Sequence, residues 1–150
     1  MKRKNQRGAT AVEFALVLPI LLALLFGTVQ FGWLMNNYLA LTNAASLGAH
    51  LLASERGYAT PYSDTQRAIL ASTPALTSAL TISMSVGGTS CTSDSTCASA
   101  LGTSTQAPAA GTVASVSLGY TFLPLFTGAL YSLKSIMPSS LTATMSELVQ

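Results

Sequence analysis

The spacing of apolar positions divides the chain into three stretches. From Phe14 to Met35 run 22 residues without a charge, and a helix of that length, at about 1.5 Å per residue, covers the ~30 Å hydrocarbon core of a bilayer. Beyond Met35 the apolar residues no longer fill every face. Leu34, Tyr38, Leu41, Ala45, Gly48 and Leu52 recur at alternating intervals of four and three, whereas Asn36, Asn43 and His50 fall seven apart on another face. This predicts one continuing helix with a packed face and a wet face. Gly57 is its natural C-terminal cap. A second, short helix is expected from Thr60, with that hydroxyl as N-cap, Pro61 at the first helical position and Asp64 in the first turn, ending before Pro74. Ala68, Ile69 and Leu76 supply its apolar side.

After Pro74 the period falls to two. Leu80, Ile82, Met84 and Val86 alternate with Thr81, Ser83 and Ser85 up to Gly87–Gly88; Ala114, Val116, Leu118, Tyr120 and Phe122 alternate in the same way, and so do Leu141, Ala143 and Met145. These are three half-buried strands. Three strands with one apolar face need a cover, and the wet-sided half of the long helix is available for it. The expected fold class is therefore α+β: a long N-terminal transmembrane helix extending into a small domain with an antiparallel sheet of about three strands. Between the last two strands, Phe126, Leu130, Leu133 and Met137 again step by four and three. That segment reads as a short amphipathic helix or wrapped loop, serving either as core cover or as a patch for membrane or subunit contact.

Charge orients the apolar helix. Lys2, Arg3, Lys4 and Arg7 precede it, while the 41 residues from Phe14 to Ser54 carry no formal charge. The positive-inside bias keeps the N-terminus cytoplasmic and exports the rest. The apolar run exceeds the 7–15 residues usual in a secretory signal peptide, and no small-x-small site follows it at Gly32, Trp33, Leu34 and Met35. Within the run Pro19 should kink the helix. Gly27, Thr28 and Gly32 form a small face for close helix packing, with Gln30 placed to hydrogen-bond across that contact. Glu13 is the one acid at the mouth of the segment. It reads either as an interfacial carboxylate favouring a helix N-terminus or as a functional counter-charge.

Only 8% of residues are charged, against about 25% in soluble domains. Four of the seven basic residues lie in the first eight positions, so the net charge of +2 offers no basic surface to nucleic acid. Cys91 and Cys97 stand in the Gly/Ser/Thr-rich stretch GGTSCTSDSTCASALG. The only histidine, His50, lies on the long helix, so no metal site is expected. In an oxidising compartment the two cysteines suit a disulfide, whose short loop would contribute roughly 2 kcal/mol. The acids Glu55, Asp64, Asp94 and Glu147 are scattered without a spacing that suggests paired carboxylates or a nucleophile and its base. No catalytic residue, cofactor or small-molecule substrate is expected, and the chain does not read as an enzyme.

The run RGATAVEFALVLPILLALLFG resembles the N-termini of type IV pilins, and more narrowly those of the TadE/TadG-like minor pilins, or pseudopilins, of the tight-adherence (Flp) pilus apparatus. The resemblance rests on Gly8 followed by Ala9, with Glu13 five residues beyond Gly8 and Phe14 beside it. SVSLGYTFLPLF and LTATMSEL also resemble the tail of TadE-like domains. The resemblance implies cleavage between Gly8 and Ala9 by a prepilin peptidase, and a role for Glu13 and Phe14 in assembly and subunit contact. It implies as partners other pilin and minor pilin subunits, an inner-membrane assembly platform and membrane lipid. The location implied is the bacterial inner membrane, single-pass, with the C-terminal domain periplasmic or extracellular. The divisions expected are a leader at 1–8, a helix at 9–57 with its span at about 14–35, and an exported pilin-like α+β domain at 58–150. The length is short for a TadG-like protein and long for a bulk Flp subunit. A signal-anchored periplasmic scaffold, not processed at Gly8, is the alternative.

Overall fold

The computed structural model describes residues 6–103, 111–125 and 137–150. The first element, α1 (Gln6–Ser54), is one helix of 49 residues, roughly 74 Å long at 1.5 Å per residue. It runs through Pro19 without interruption. From Val12 to Leu25 every residue is exposed, the bulky apolar ones included. No protein covers this half, whose length and composition fit a single-pass membrane anchor.

The C-terminal half of α1 packs. Its buried face carries Gln30, Asn37, Leu41, Ala44, Ala45, Gly48, Ala49, Leu52 and Ala53. The sequence stripe holds from Leu41 to Leu52, but Tyr38 is exposed and Asn37 takes its place. Leu52 back to Gln30 takes six steps of about 3.7 residues. This is the period of a straight helix lying on a sheet, not the 3.5 of a supercoil. Asn36, Asn43 and His50 face outward as expected. The small residues let the helix axis come close: a Cβ on Gly48 would lie 2.7 Å from Ile69 Cδ1 and 3.3 Å from Val116 Cγ1.

α1 ends at Ser54, and Gly57 (φ 85°) turns the chain. Helix α2 (Pro61–Ser72) follows, with Pro61, Thr65 and Ile69 buried; a 3-10 turn at Thr77–Ala79 leads into the sheet. The strands are β1 (Leu80–Val86), β2 (Thr89–Cys91), β3 (Val113–Thr121) and β4 (Ser140–Leu148), and helix α3 (Asp94–Leu101) lies between β2 and β3. The described sheet has the order β2-β1-β3-β4, with every pair antiparallel. The three expected strands are present within a residue or two of their predicted limits. Two elements were not expected. Gly87 and Gly88 end the first strand as expected, but they also turn the chain back into β2: both have positive φ (57° and 81°), as a tight hairpin requires. Instead of a loop, Asp94–Leu101 is helical, held by a reciprocal capping box between Ser93 and Thr96.

α1 packs on β3 and β4, α2 on α1 and α3, and α3 on β1 and β2. The three helices thus cover one sheet face, where Met84, Val86, Ala114, Val116, Leu118, Tyr120, Leu141 and Ala143 are buried. The other face bears hydroxyls that pair across strands, Ser115 with Ser146 at 2.7 Å and Ser117 with Thr144 at 2.8 Å. Alternation thus sends apolar residues to the helices and Ser or Thr to solvent. The amphipathic segment expected over Phe126–Met137 lies outside the described residues except at Met137.

Candidate functional site

The predicted site residues fall into two groups at opposite ends of the molecule. At the N-terminal end, α1 begins at Gln6, so the Gly8–Ala9 peptide lies in the first turn of a helix. The first four N–H groups of a helix have no intrahelical acceptor, and this turn is the cheapest to unwind. Gly8 is exposed, and a Cβ there would meet nothing within 4 Å. Glu13 and Phe14 are also exposed, Phe14 by 61%. Glu13 has no hydrogen-bond or ion-pair partner among the described residues. Residues 9 and 13 are four apart, which places them on the same face about 6 Å along the axis. Neither Glu13 nor Phe14 is used by the chain's own fold.

Further along the span, Ala23, Leu24, Gly27, Thr28, Phe31 and Gly32 line a shallow open groove of about 410 Å³. Thr28 turns its hydroxyl to the carbonyl of Leu25 at 2.8 Å. Gln30 does not face this groove. It lies on the face of α1 that packs on the C-terminal domain, 3% exposed, and neither amide atom has a partner among the described residues. The expected interhelical hydrogen bond is therefore not the role its position gives it. Trp33 Nε1 and Asn37 Nδ2, on the same face, are also buried and have no partner among the described residues.

In the C-terminal domain the side chains of Cys91, at the end of β2, and Cys97, in α3, are buried and hydrogen-bonded to each other. They are unbridged in this structure. Burial pushes the Cys91 thiol up, partly opposed by its hydrogen bond with Cys97. The Cys97 thiol is pushed up more strongly, by burial first and then by Cys91 and the charge of Asp94. Both are protonated at neutral pH and are poor nucleophiles.

Three polar contacts were not foreseen. Asp94, at the start of α3, accepts the backbone N–H and the hydroxyl of Ser63 in the first turn of α2. Those bonds hold the Asp94 carboxyl below its ordinary value. Thr60 is the N-cap residue of α2 but makes no side-chain cap; its hydroxyl donates instead to Asp64 Oδ2 at 2.6 Å. His50, expected to be simply solvated, stands 3.5 Å from Glu147 on β4 with both side chains well exposed. Glu55 has its carboxyl raised by burial and then by the nearby charge of Asp64.

A cleft of about 610 Å³ opens between the β1–β2 turn and α3, where Thr89, Ser90, Ser95, Thr96 and Ser99 line it. It holds no titratable group, and so no acid, base or strong nucleophile. Among the described residues no three of His, Cys, Asp and Glu gather to hold a metal ion.

Comparison with protein families places residues 8–50 in a match to the family described as TadE-like protein. The match begins at Gly8, contains Glu13 and Phe14, and stops four residues before the end of α1. It includes none of the sheet. No curated protein and no solved structure matches the chain.

Proposed function

We propose that this chain, TadE-like over residues 8–50, is a minor pilin or pseudopilin of a tight-adherence (Flp-type) pilus, cut by a prepilin peptidase between Gly8 and Ala9 and assembled through its N-terminal helix for surface adhesion. The observation that carries this reading is the exposure of Glu13 and Phe14 at the head of an uncovered apolar helix within the matched segment. Hydrolysis of the Gly8–Ala9 bond releases the leader with a new carboxylate and leaves a free amine on Ala9. In the low dielectric of packed helices that amine and a carboxylate attract far more strongly than in water. Glu13 supplies the carboxylate, meeting the Ala9 amine of a neighbouring subunit. The basic leader remains on the cytoplasmic side of the inner membrane, and the domain after α1 is exported. Its partners are the peptidase, other pilin and minor pilin subunits, the inner-membrane assembly platform and lipid.

Export also bears on the cysteines. In this reading Cys91 and Cys97 form a disulfide: the two thiols give up two protons and two electrons to an exported dithiol oxidase, whose own disulfide is reduced. Since both thiols are buried and protonated once folded, oxidation precedes the closing of α3 onto β2. Its support is the direct contact of the two side chains.

The test is the intact mass of the membrane-extracted protein, expressed with and without a cognate prepilin peptidase. Loss of residues 1–8 only with the peptidase is the expected result. An unshortened chain in both cases overturns processing and favours a signal-anchored scaffold.

A further inference from the structure

The exported domain begins to cover α1 before the apolar run ends. Gln30, Trp33, Leu34 and Asn37 are wholly or partly buried on one face, while Phe31, Met35 and Leu39 remain exposed on the other. A span of ~20 residues starting at Phe14 reaches Trp33. The near end of the domain therefore overlaps the last turn of the span and lies at headgroup depth.

The sheet register identifies that end. At the far end, the N–H of Gln150 donates to the Ala53 carbonyl at 3.3 Å, and His50 stands beside Glu147. β4 thus finishes level with the end of α1 and runs in the same direction. From Glu147 back to Ser140 the strand covers about 24 Å at ~3.4 Å per residue, which is the rise of about 16 helical residues. Counted from His50, this is the level of Leu34, where the β3–β4 connection opens. Consistently, Met137 from that connection packs against the same core as Trp33 and Leu34.

The described ends of that connection are mostly apolar. Leu123 is 62% and Leu125 50% exposed, and Phe122, Leu123, Pro124, Met137 and Pro138 line a recess of about 350 Å³. The described residues from Thr121 to Leu125 and from Met137 to Ala143 carry no charge. Two bulky leucines exposed at the level where Trp33 leaves the span match an interfacial contact.

We propose that the described residues that follow β3 make a second membrane contact, in which Leu123 and Leu125 enter the interfacial layer of the leaflet from which α1 emerges. The occupant of the patch is phospholipid. Two contacts fix the rotation and tilt of the domain about the α1 axis, which a single helix leaves free. The inference rests on the membrane anchoring of α1, and the test separates the two.

The full chain carrying Trp33→Phe, which removes the sole tryptophan, is reconstituted in phosphatidylethanolamine/phosphatidylglycerol vesicles doped with phosphatidylcholine brominated near the headgroup end of the acyl chain or near its tip. Leu125→Trp, Leu148→Trp and Leu24→Trp each add one indole at an exposed leucine. Several-fold stronger quenching at 125 than at 148, greatest with the shallow bromine, is expected, together with deep quenching at 24. Quenching at 24 but none at 125 overturns the second contact and leaves the anchor standing. No quenching at 24 overturns the anchor and the contact with it. Emission at 125 that shifts to the blue with protein density, without quenching by lipid, assigns the patch to a second copy and also overturns the proposal. If circular dichroism shows Leu125→Trp to be misfolded, Leu123→Trp takes its place in the same comparison.

Discussion

Asp94 holds Ser63 by two hydrogen bonds, from the backbone N–H at 2.8 Å and from the hydroxyl at 2.5 Å. Ser63 lies in the first turn of α2, so the carboxylate of one helix caps the N-terminus of another, where unpaired N–H groups and the helix dipole favour a negative charge. The N-cap residue, Thr60, is turned away to Asp64. The joint between α2 and α3 thus depends on a residue thirty-one positions downstream.

This joint is acid-sensitive. The Asp94 carboxyl lies below its ordinary value when folded, so its contribution is present above the unfolded value and is lost as pH falls through the folded one. Thermal melts of the detergent-solubilised chain between neutral pH and pH ~2 should show Asp94→Asn melting lower than the parent at neutral pH, with a shallower fall in acid. Identical acid limbs in the two proteins would remove Asp94 from this role.

Gly48 sets how closely α1 approaches α2 and β3. An added Cβ must displace the tip of Ile69, which is flexible, and presses on Val116. Gly48→Ala should lower stability modestly and Gly48→Leu by about 1–3 kcal/mol or more. Ile69→Ala, itself costing about 2–5 kcal/mol, should take up the added methyl, so that the double variant Gly48→Ala/Ile69→Ala is more stable than the two single effects predict. Additive effects in denaturant melts would show that the contact does not limit packing.

The pair His50–Glu147 should matter little. Both side chains are well exposed and 3.5 Å apart, and surface ion pairs contribute about 0–1 kcal/mol. His50→Gln is expected to shift stability by no more than about 0.5 kcal/mol. A larger loss would mean that this contact, and not the apolar face of α1, fastens the helix to β4.

For the proposed assembly role, Glu13→Ala should insert and fold as the parent does, because no described residue uses that side chain, yet lose most incorporation into the pilus. Unchanged piliation in a strain carrying only the variant would rule out the role given to Glu13.

Cys91→Ser should retain the fold in the reduced state and lose the stabilisation of the short loop, roughly 2 kcal/mol. For the exported parent, the intact mass should be lower by a pair of hydrogen atoms than after reduction. A parent whose mass and melting are unaltered by reductant carries no disulfide.

The period of the sequence by itself determined the long helix, α2, three of the four strands and their inward faces, because burial on one side writes itself as spacing. The uncovered apolar half of α1 was legible for the same reason. Helix α3 and strand β2 were not. The eight residues of α3 offer only Cys97 and Leu101 as a buried pair, too few to show a period, and α3 is held by a Ser93–Thr96 box in which Thr stands where Glu or Gln is the usual signal. β2 is too short to alternate. Only the tertiary structure decided that Asn37 and not Tyr38 is buried, since the buried face recurs at about 3.7 residues where a heptad would recur at 3.5. It also decided that Gln30 belongs to the domain and not to a neighbouring helix, and that Asp94 caps α2. These depend on how elements distant in sequence are placed against one another, and no local pattern encodes that.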